Sequence, residues 1–232
     1  MVIYGKQPIL YLVEKHKNII QKIFLAKDID REIFKKFIGI KIERLDDLKA
    51  QAMARGGNHQ GILAEISEFE TINYREILEK SSFIVILHSL TDVGNIGSII
   101  RTAYSLGVNA IIITGLNSLK FEGIARSSAG ALFDSKIAVY KNIFDILNEA
   151  KQLEFKIYGA TLDGEDIRNY KNSDYEKKIL ILGNEESGLS GRVLNSLDKK
   201  ITIKMDRDFD SLNVSVAGAI LIDRLRNSGA TS

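Results

Sequence analysis

Phe83-Ile84-Val85-Ile86-Leu87 and Ile179-Leu180-Ile181-Leu182 are uninterrupted apolar runs, each the length of one strand. A run with no polar alternation is expected where a strand is covered on both faces, as in a parallel sheet flanked by helices. The second run belongs to K-I-L-I-L-G-N-E-E-S-G-L-S, from Lys178 to Ser190. It stops in Gly183 and is followed by Asn184, Glu185, Glu186 and Gly188. Open α/β sheets hold their ligands where a buried strand ends in such a turn. A loop of solvated acids accounts equally well for these residues taken alone.

From residue 82 onward strand-like and helix-like stretches alternate. After Leu87 comes H-S-L-T-D-V-G-N-I-G-S-I-I-R-T-A-Y-S-L-G-V-N-A-I-I-I-T. This reads as a glycine-containing loop, a helix and a second strand at Ile111–Ile113, hence a βαβ unit. Asn95 or Thr91 is expected to cap the helix, with Ile99, Ile100, Ala103 and Leu106 facing the sheet. Further strands are expected at 137–139, 155–160 and 201–203, and a helix at 143–150. T-L-D-G-E-D (161–166) and K-M-D-R-D-F-D (204–210) read as loops, and 211–226 as a closing helix. The alternation implies a parallel sheet with helices on both faces. Two places could hold a ligand: the loop at 91–101, with Asn95 and Arg101, and the pair of loops at 183–190 and 204–213.

Residues 1–70 read as a smaller α/β module, and 71–81 as a linker carrying a short helix. Within the module, Asp30 could cap a helix ending at Lys36, and Gly56-Gly57 ends another. Asn58, His59 and Gln60 follow, at the entrance to a strand at 61–66. They offer donors and acceptors that could meet nucleic-acid bases or phosphate. A plain polar turn is the commoner origin of such a cluster. The small basic excess of the chain, net charge +2, lies entirely in this module. It is too small to announce a polyanionic partner.

Composition removes several classes. With no cysteine, disulfides, thiolate catalysis and cysteine zinc sites are excluded. Only His16, His59 and His88 are present, without zinc-hydrolase spacing, so no metal is expected. There is no P-loop lysine motif, and V-G-N-I-G-S falls short of the dinucleotide fingerprint, which disfavours a nucleotide-dependent oxidoreductase. The opening M-V-I-Y-G-K-Q-P resembles neither signal nor transit peptide, and no apolar run approaches a membrane span. A cytoplasmic protein with no membrane association is expected.

Three segments together resemble one family. T-D-V-G-N-I-G-S-I-I-R-T-A (91–103), I-L-G-N-E-E-S-G-L (181–189) and I-K-M-D-R-D-F-D-S-L-N-V-S-V-A (203–217) are similar, in order and spacing, to the motifs of the SpoU (TrmH-type) RNA methyltransferases of the SPOUT class. Y-G-K-Q-P-I (4–9) and G-N-H-Q-G-I (57–62) resemble the N-terminal substrate-binding module of that family. Lys204, and Arg207 nearby, stand where the family often has proline and glycine. The resemblance implies a parallel α/β domain over 82–232 with a C-terminal trefoil knot, preceded by an RNA-binding module over 1–70. It also implies a homodimer and bound S-adenosylmethionine. The activity implied is methylation of a ribose 2′-hydroxyl in RNA, with a guanosine of 23S rRNA as the expected target. A tRNA ribose, or a non-catalytic RNA-binding role on the same fold, are the alternatives.

The resemblance also assigns roles. Arg101, Asn95, Glu185, Ser211 and Asn213 would form the catalytic group. Thr161, Leu182, Gly183, Asn184, Ile203, Met205 and Leu212 would surround the cofactor. Asn58, His59, Gln60 and Arg126 would contact RNA. A guanidinium stays protonated in proteins, so Arg101 is suited to stabilising an alkoxide or holding phosphate rather than to removing a proton. Simpler roles compete for several of these: helix capping for Asn95, Ser211 and Asn213, and core packing for Ile203, Met205 and Leu212.

Overall fold

The computed structural model describes residues 1–170, 176–207 and 211–226. In chain order its elements are β1 (Val2–Tyr4), α1 (Lys6–Lys15), β2 (Ile20–Leu25), α2 (Arg31–Lys36), β3 (Ile42–Arg44), α3 (Asp47–Met53), β4 (Ile62–Ile66), α4 (Tyr74–Lys80), β5 (Phe83–His88) and α5 (Val93–Ser105). They continue with β6 (Ala110–Thr114), α6 (Phe121–Ser127), β7 (Ile137–Tyr140), α7 (Ile143–Gln152), β8 (Lys156–Asp166), β9 (Lys178–Leu182), α8 (Gly191–Leu194), β10 (Lys199–Thr202) and α9 (Val214–Leu225). The chain divides into two compact units, 1–70 with 120–134, and 71–119 with 135–232. Residues 208–210, the end of the K-M-D-R-D-F-D loop, and the tail beyond 226 lie outside the described residues.

The first unit holds a sheet of order β1-β4-β2-β3, antiparallel except for β2 with β3. One core cluster joins Phe24 and Leu63 to Ala50 and Ala54 at α3, with Tyr4, Leu45 and Met53 against it. Asp30 caps α2 as expected, accepting from the Glu32 amide at 2.8 Å. Residues 120–134 belong here because Phe69 packs against both Phe121 and Phe133, with ring centroids 5.0 and 6.0 Å apart. Asp134 also accepts from the Tyr11 hydroxyl and lies 2.8 Å from His16 Nε2. The segment containing R-S-S-A-G-A thus separates from the sequence-adjacent β6 and β7.

The second unit holds six strands in the order β10-β8-β9-β5-β6-β7, every neighbouring pair parallel. The apolar runs of β5 and β9 lie side by side, Ile84 opposite Ile179 and Ile86 opposite Ile181, all fully buried. Residues 71–81, expected as a linker, contribute to this unit. Ile72 N–H donates to Ile137 O at 2.8 Å, and α4 buries Tyr74, Ile77 and Leu78. The expected loop at 161–166 is strand instead, because β8 runs on to Asp166. Its end pairs with β10, Ile201 opposite Glu165 and Thr202 opposite Asp166. Its start also pairs with β10, Lys200 opposite Gly159, so Ala160 to Gly164 are left over as a bulge. Gly164 is needed there: a Cβ would meet the Ile201 backbone at 2.6 Å.

Lys178 is an apparent strand-entry lysine that is in fact 1% exposed. Its Nζ donates to Leu225 O at 3.0 Å, meeting the C-terminal end of α9, where a cation complements the free carbonyls. Close packing sets the same helix against β9. A Cβ on Gly218 would lie 2.9 Å from Leu182 Cδ1.

Candidate active site

The strand order reverses at β5. β6 and β7 follow on one side, while β9, β8 and β10 lie on the other. Ligands in open α/β sheets lie beyond the carboxyl ends of the strands at such a switch point. The loops there are 89–92, after β5, and 183–190, after β9. Asn184 ties them together. Its Nδ2 donates to Ser89 O at 3.0 Å, while its Oδ1 accepts from the amides of Glu186 and Ser187 at 2.9 and 3.2 Å. Gly183 must be small, since a Cβ would meet Gly188 O at 2.6 Å.

Helix α5 begins beside this junction. Asp92 is its cap, accepting from Asn95 N–H at 2.7 Å, so neither Thr91 nor Asn95 fills that role. The Asn95 side chain is thereby free for tertiary contacts. Its Nδ2 donates to Glu185 Oε1, and its Oδ1 accepts from Asn213 Nδ2 at 3.1 Å. Asn213 also caps α9, accepting from Ser215 N–H at 2.9 Å. Three of the five expected catalytic residues, from three separate segments, therefore form one hydrogen-bonded group. Asn95 mediates between a carboxylate that only accepts and an amide that donates, and this fixes its orientation.

Beside the group lies a cleft of about 530 Å³, within the range of roughly 300–1,000 Å³ usual for small-molecule sites. Every expected cofactor residue lines it: Thr161, Leu182, Gly183, Asn184, Ile203, Met205 and Leu212, together with Glu185, Ser211 and Asn213. The β8 bulge supplies one wall, of which the sequence pointed to Thr161 alone because 161–166 reads as a plain loop. Asp163 on that bulge also lines the cleft. It accepts from Lys200 Nζ at 3.1 Å, and this bond holds its carboxyl below the usual carboxylate range, so the cleft wall carries a carboxylate already paired with an ammonium. Thr161 contributes a buried hydroxyl. Leu189 and Leu221 add to the apolar lining.

Arg101 does not line this cleft. It is exposed on α5, and among the described residues its guanidinium has no hydrogen-bond or ion-pair partner. Lying six residues beyond Asn95, it sits about 9 Å farther along the helix.

The expected RNA contacts all fall in the first unit. Asn58, Gln60 and Arg126 are exposed. His59 is not a surface contact, being 5% exposed. Its Nδ1 accepts from Gly61 N–H at 3.1 Å, leaving Nε2 to carry the proton, 3.7 Å from Asp47. It holds the turn rather than reaching out of it. Among the described residues, no group of three or more His, Asp or Glu could hold a metal ion, and no helix is long and apolar enough to cross a membrane.

Comparison with known proteins agrees with this arrangement. Residues 82–223 match the SpoU rRNA Methylase family, and residues 2–72 match the RNA 2'-O ribose methyltransferase substrate binding family. A Borreliella burgdorferi protein named as an uncharacterized tRNA/rRNA methyltransferase is 30% identical over 222 residues, covering 90% of this chain and 97% of the relative. The AdoMet-bound rRNA methyltransferase of Sinorhizobium meliloti has a similar structure, with a TM-score of 0.75 at 23% identity over 96% of this chain and 85% of that one. The SpoU methyltransferase AviRb of Streptomyces viridochromogenes, in complex with AdoMet, gives 0.75 at 20% identity over 97% and 88%. The last two likenesses bear on the fold. With one family covering the sheet and its switch-point cleft, and the other covering the front module, the chain belongs to the SpoU family of RNA methyltransferases.

Proposed function

We propose that the protein transfers a methyl group from S-adenosylmethionine to a ribose 2′-hydroxyl of RNA, with a guanosine of 23S rRNA as the target. The observation that carries this reading is the Asn95–Glu185–Asn213 group beside the cleft. The residues fit the cofactor. Leu182, Ile203, Met205 and Leu212 offer apolar surface for an adenine ring, and the Gly183 backbone can approach a ligand closely. When bound, S-adenosylmethionine supplies an activated methyl on a sulfonium centre, so the chain has mainly to position and polarise the hydroxyl.

Asn95, itself oriented by Asn213, holds Glu185 in one orientation, so a ribose hydroxyl meets a preset acceptor rather than a mobile acid. Ser211 adds a hydroxyl to the cleft wall. Arg101 stabilises the developing alkoxide and binds the adjoining phosphate. Among the described residues its five donors are uncommitted. Its position off the cleft lining fits contact with RNA rather than with the cofactor. Asn58, Gln60 and Arg126 hold RNA from the first unit.

A C-terminal trefoil knot and a homodimer belong to the same reading. Val216 and Ile220, one turn apart on α9, are 48% and 37% exposed, and Tyr104 on the packed neighbour α5 is 45% exposed. Isolated apolar side chains are common on surfaces, but this group fits a subunit interface. The place of action is the cytoplasm, where the RNA substrate is made.

The test is ribose-methylation mapping of rRNA and tRNA from a strain lacking the gene. Loss of one 2′-O-methyl guanosine in 23S rRNA supports the proposal. Loss confined to tRNA moves the substrate to tRNA, and an unchanged pattern in both overturns methylation of either.

A further inference from the structure

Arg126 lies over the ring of Tyr4, with Cζ 5.6 Å from the ring centroid. It is exposed, and among the described residues it makes no ion pair. The acid one turn earlier on α6, Glu122, faces Arg55 instead, at 3.6 Å. An unpaired surface arginine is ordinarily free to wander, but this one is guided. A Cβ on Gly5 would lie 3.8 and 3.9 Å from Arg126 Cγ and Cδ, so its aliphatic arm runs over a residue with no side chain.

Tyr4 cannot move away. It is paired in β1 opposite Leu63, and it packs on the core cluster of Phe24 and Ala50. The hydroxyl end of its ring lies so close to Gly57 that a Cβ there would meet it at 2.5 Å.

In the neighbouring turn the Gln60 side chain presents donors. Gln60 Oε1 is taken by Lys6 N–H at 2.9 Å, which leaves the Gln60 amide N–H groups for a ligand. Gln60 sits at φ 53, strained for a residue with a side chain. It is held there by its bond to Asn58 Oδ1 at 3.2 Å and by the buried His59. A planar cation on an aromatic ring, beside outward-facing amide donors, is suited to the flat face and acceptor-bearing edge of a base. Base faces are hidden in a duplex and open in loops and bulges.

We propose that the Tyr4–Arg126 pair is a stacking platform for one unpaired RNA base, with Gln60 donating to that base's edge and His59 acting as the positioning residue of the turn. The inference rests on the RNA-binding reading above. The planar guanidinium is the essential part, since lysine keeps the charge but cannot stack.

The experiment uses the full chain and two fluorescein-labelled probes of equal length, a single-stranded oligoadenylate and an RNA duplex, read by anisotropy across a salt series. Arg126→Lys should weaken single-strand binding about tenfold, leave duplex binding unchanged, and preserve the salt dependence. Tyr4→Leu should do the same, and a thermal melt checks that it folds. If it does not fold, Arg126→Lys alone decides. Single-strand binding by Arg126→Lys equal to wild type, equal losses on both probes, or a wild type that binds neither probe overturns the platform. Methyl transfer from labelled S-adenosylmethionine to purified rRNA and tRNA is measured alongside on the wild type. Transfer without a platform effect sinks the platform alone, whereas no transfer to either RNA sinks the methyltransferase reading itself.

Discussion

Asn213 Nδ2 donates to Asn95 Oδ1 at 3.1 Å, closing a separation of 118 residues between the start of α9 and the start of α5. The same Asn213 uses its other side-chain atom to cap its own helix. One residue thus carries a local and a tertiary duty, and the two can be separated by substitution.

Asn213→Asp keeps the capping oxygen and removes the donor to Asn95. Aspartate and asparagine cap about equally well, so thermal stability should hold. Loss of this neutral amide–amide bond, about 0.5–1.5 kcal/mol, corresponds to a roughly twofold to tenfold fall in methyl transfer. Melting curves and turnover with labelled cofactor check this. A variant that loses stability but keeps full turnover would make Asn213 a cap and nothing more.

Arg101→Lys should reduce turnover by about a hundredfold or more, the usual cost of losing an oxyanion donor. Cofactor affinity by calorimetry should not change, because Arg101 does not line the cleft. Full activity in this variant removes Arg101 from the chemistry.

Gly183→Ala forces a methyl group against Gly188 O and Leu189. Overpacking of this kind costs about 1–3 kcal/mol. The displaced loop should lose most of the thermal shift that S-adenosylmethionine gives the wild type by mass action. An undiminished shift argues that the 183–188 loop does not hold the cofactor.

Tyr158 and Tyr170 both donate to Glu176 Oε2, at 2.7 and 3.2 Å. Burial, first among the causes, pushes Tyr170 up to about 12, and pushes Tyr158 upward as well. Both groups hold their protons more tightly folded than unfolded. The stability they contribute is complete below pH 10, the ordinary tyrosine value, and is lost as pH rises from there through the folded values. The melting temperature should therefore fall between about pH 10 and 12. Tyr158→Phe should flatten that fall, at a neutral-pH cost of about 1.5–3 kcal/mol for the lost bond to a carboxylate. An alkaline slope identical in wild type and variant contradicts this assignment.

His59→Ala leaves the buried Gly61 N–H without its acceptor and should destabilise the first unit by about 1–3 kcal/mol. Denaturant unfolding of the full chain measures it. Were His59 a surface contact, stability would stay near wild type.

The sheet of the second unit was legible because parallel strands are covered on both faces, so the interiors of β5, β6 and β9 had to be apolar. The candidate site was legible through short glycine-bearing motifs. Chain connectivity misled where partners were remote. Residues 161–166 are polar and glycine-containing, as a loop would be, yet pairing with β10 makes them strand and brings Asp163 to the cleft. His59 resembles an exposed turn residue, but the turn folds its ring inward onto Gly61. Nothing in the sequence marks Lys178 as buried, and α9 covers it.

What the sequence determined by itself is therefore local and repetitive. Hydrophobic runs set which strands are interior, and the spacing of Asn95, Glu185 and Asn213 within motifs set which side chains are candidates. The tertiary structure decided which atoms of those side chains are committed to each other and which remain free for a ligand. Asn184 ties two loops, Asn95 joins Glu185 to Asn213, and Arg101 is left uncommitted among the described residues. The physical reason is that a polar side chain spends its few donors and acceptors on whatever the fold brings within about 3 Å, and residues about a hundred positions apart meet only once the sheet has been assembled.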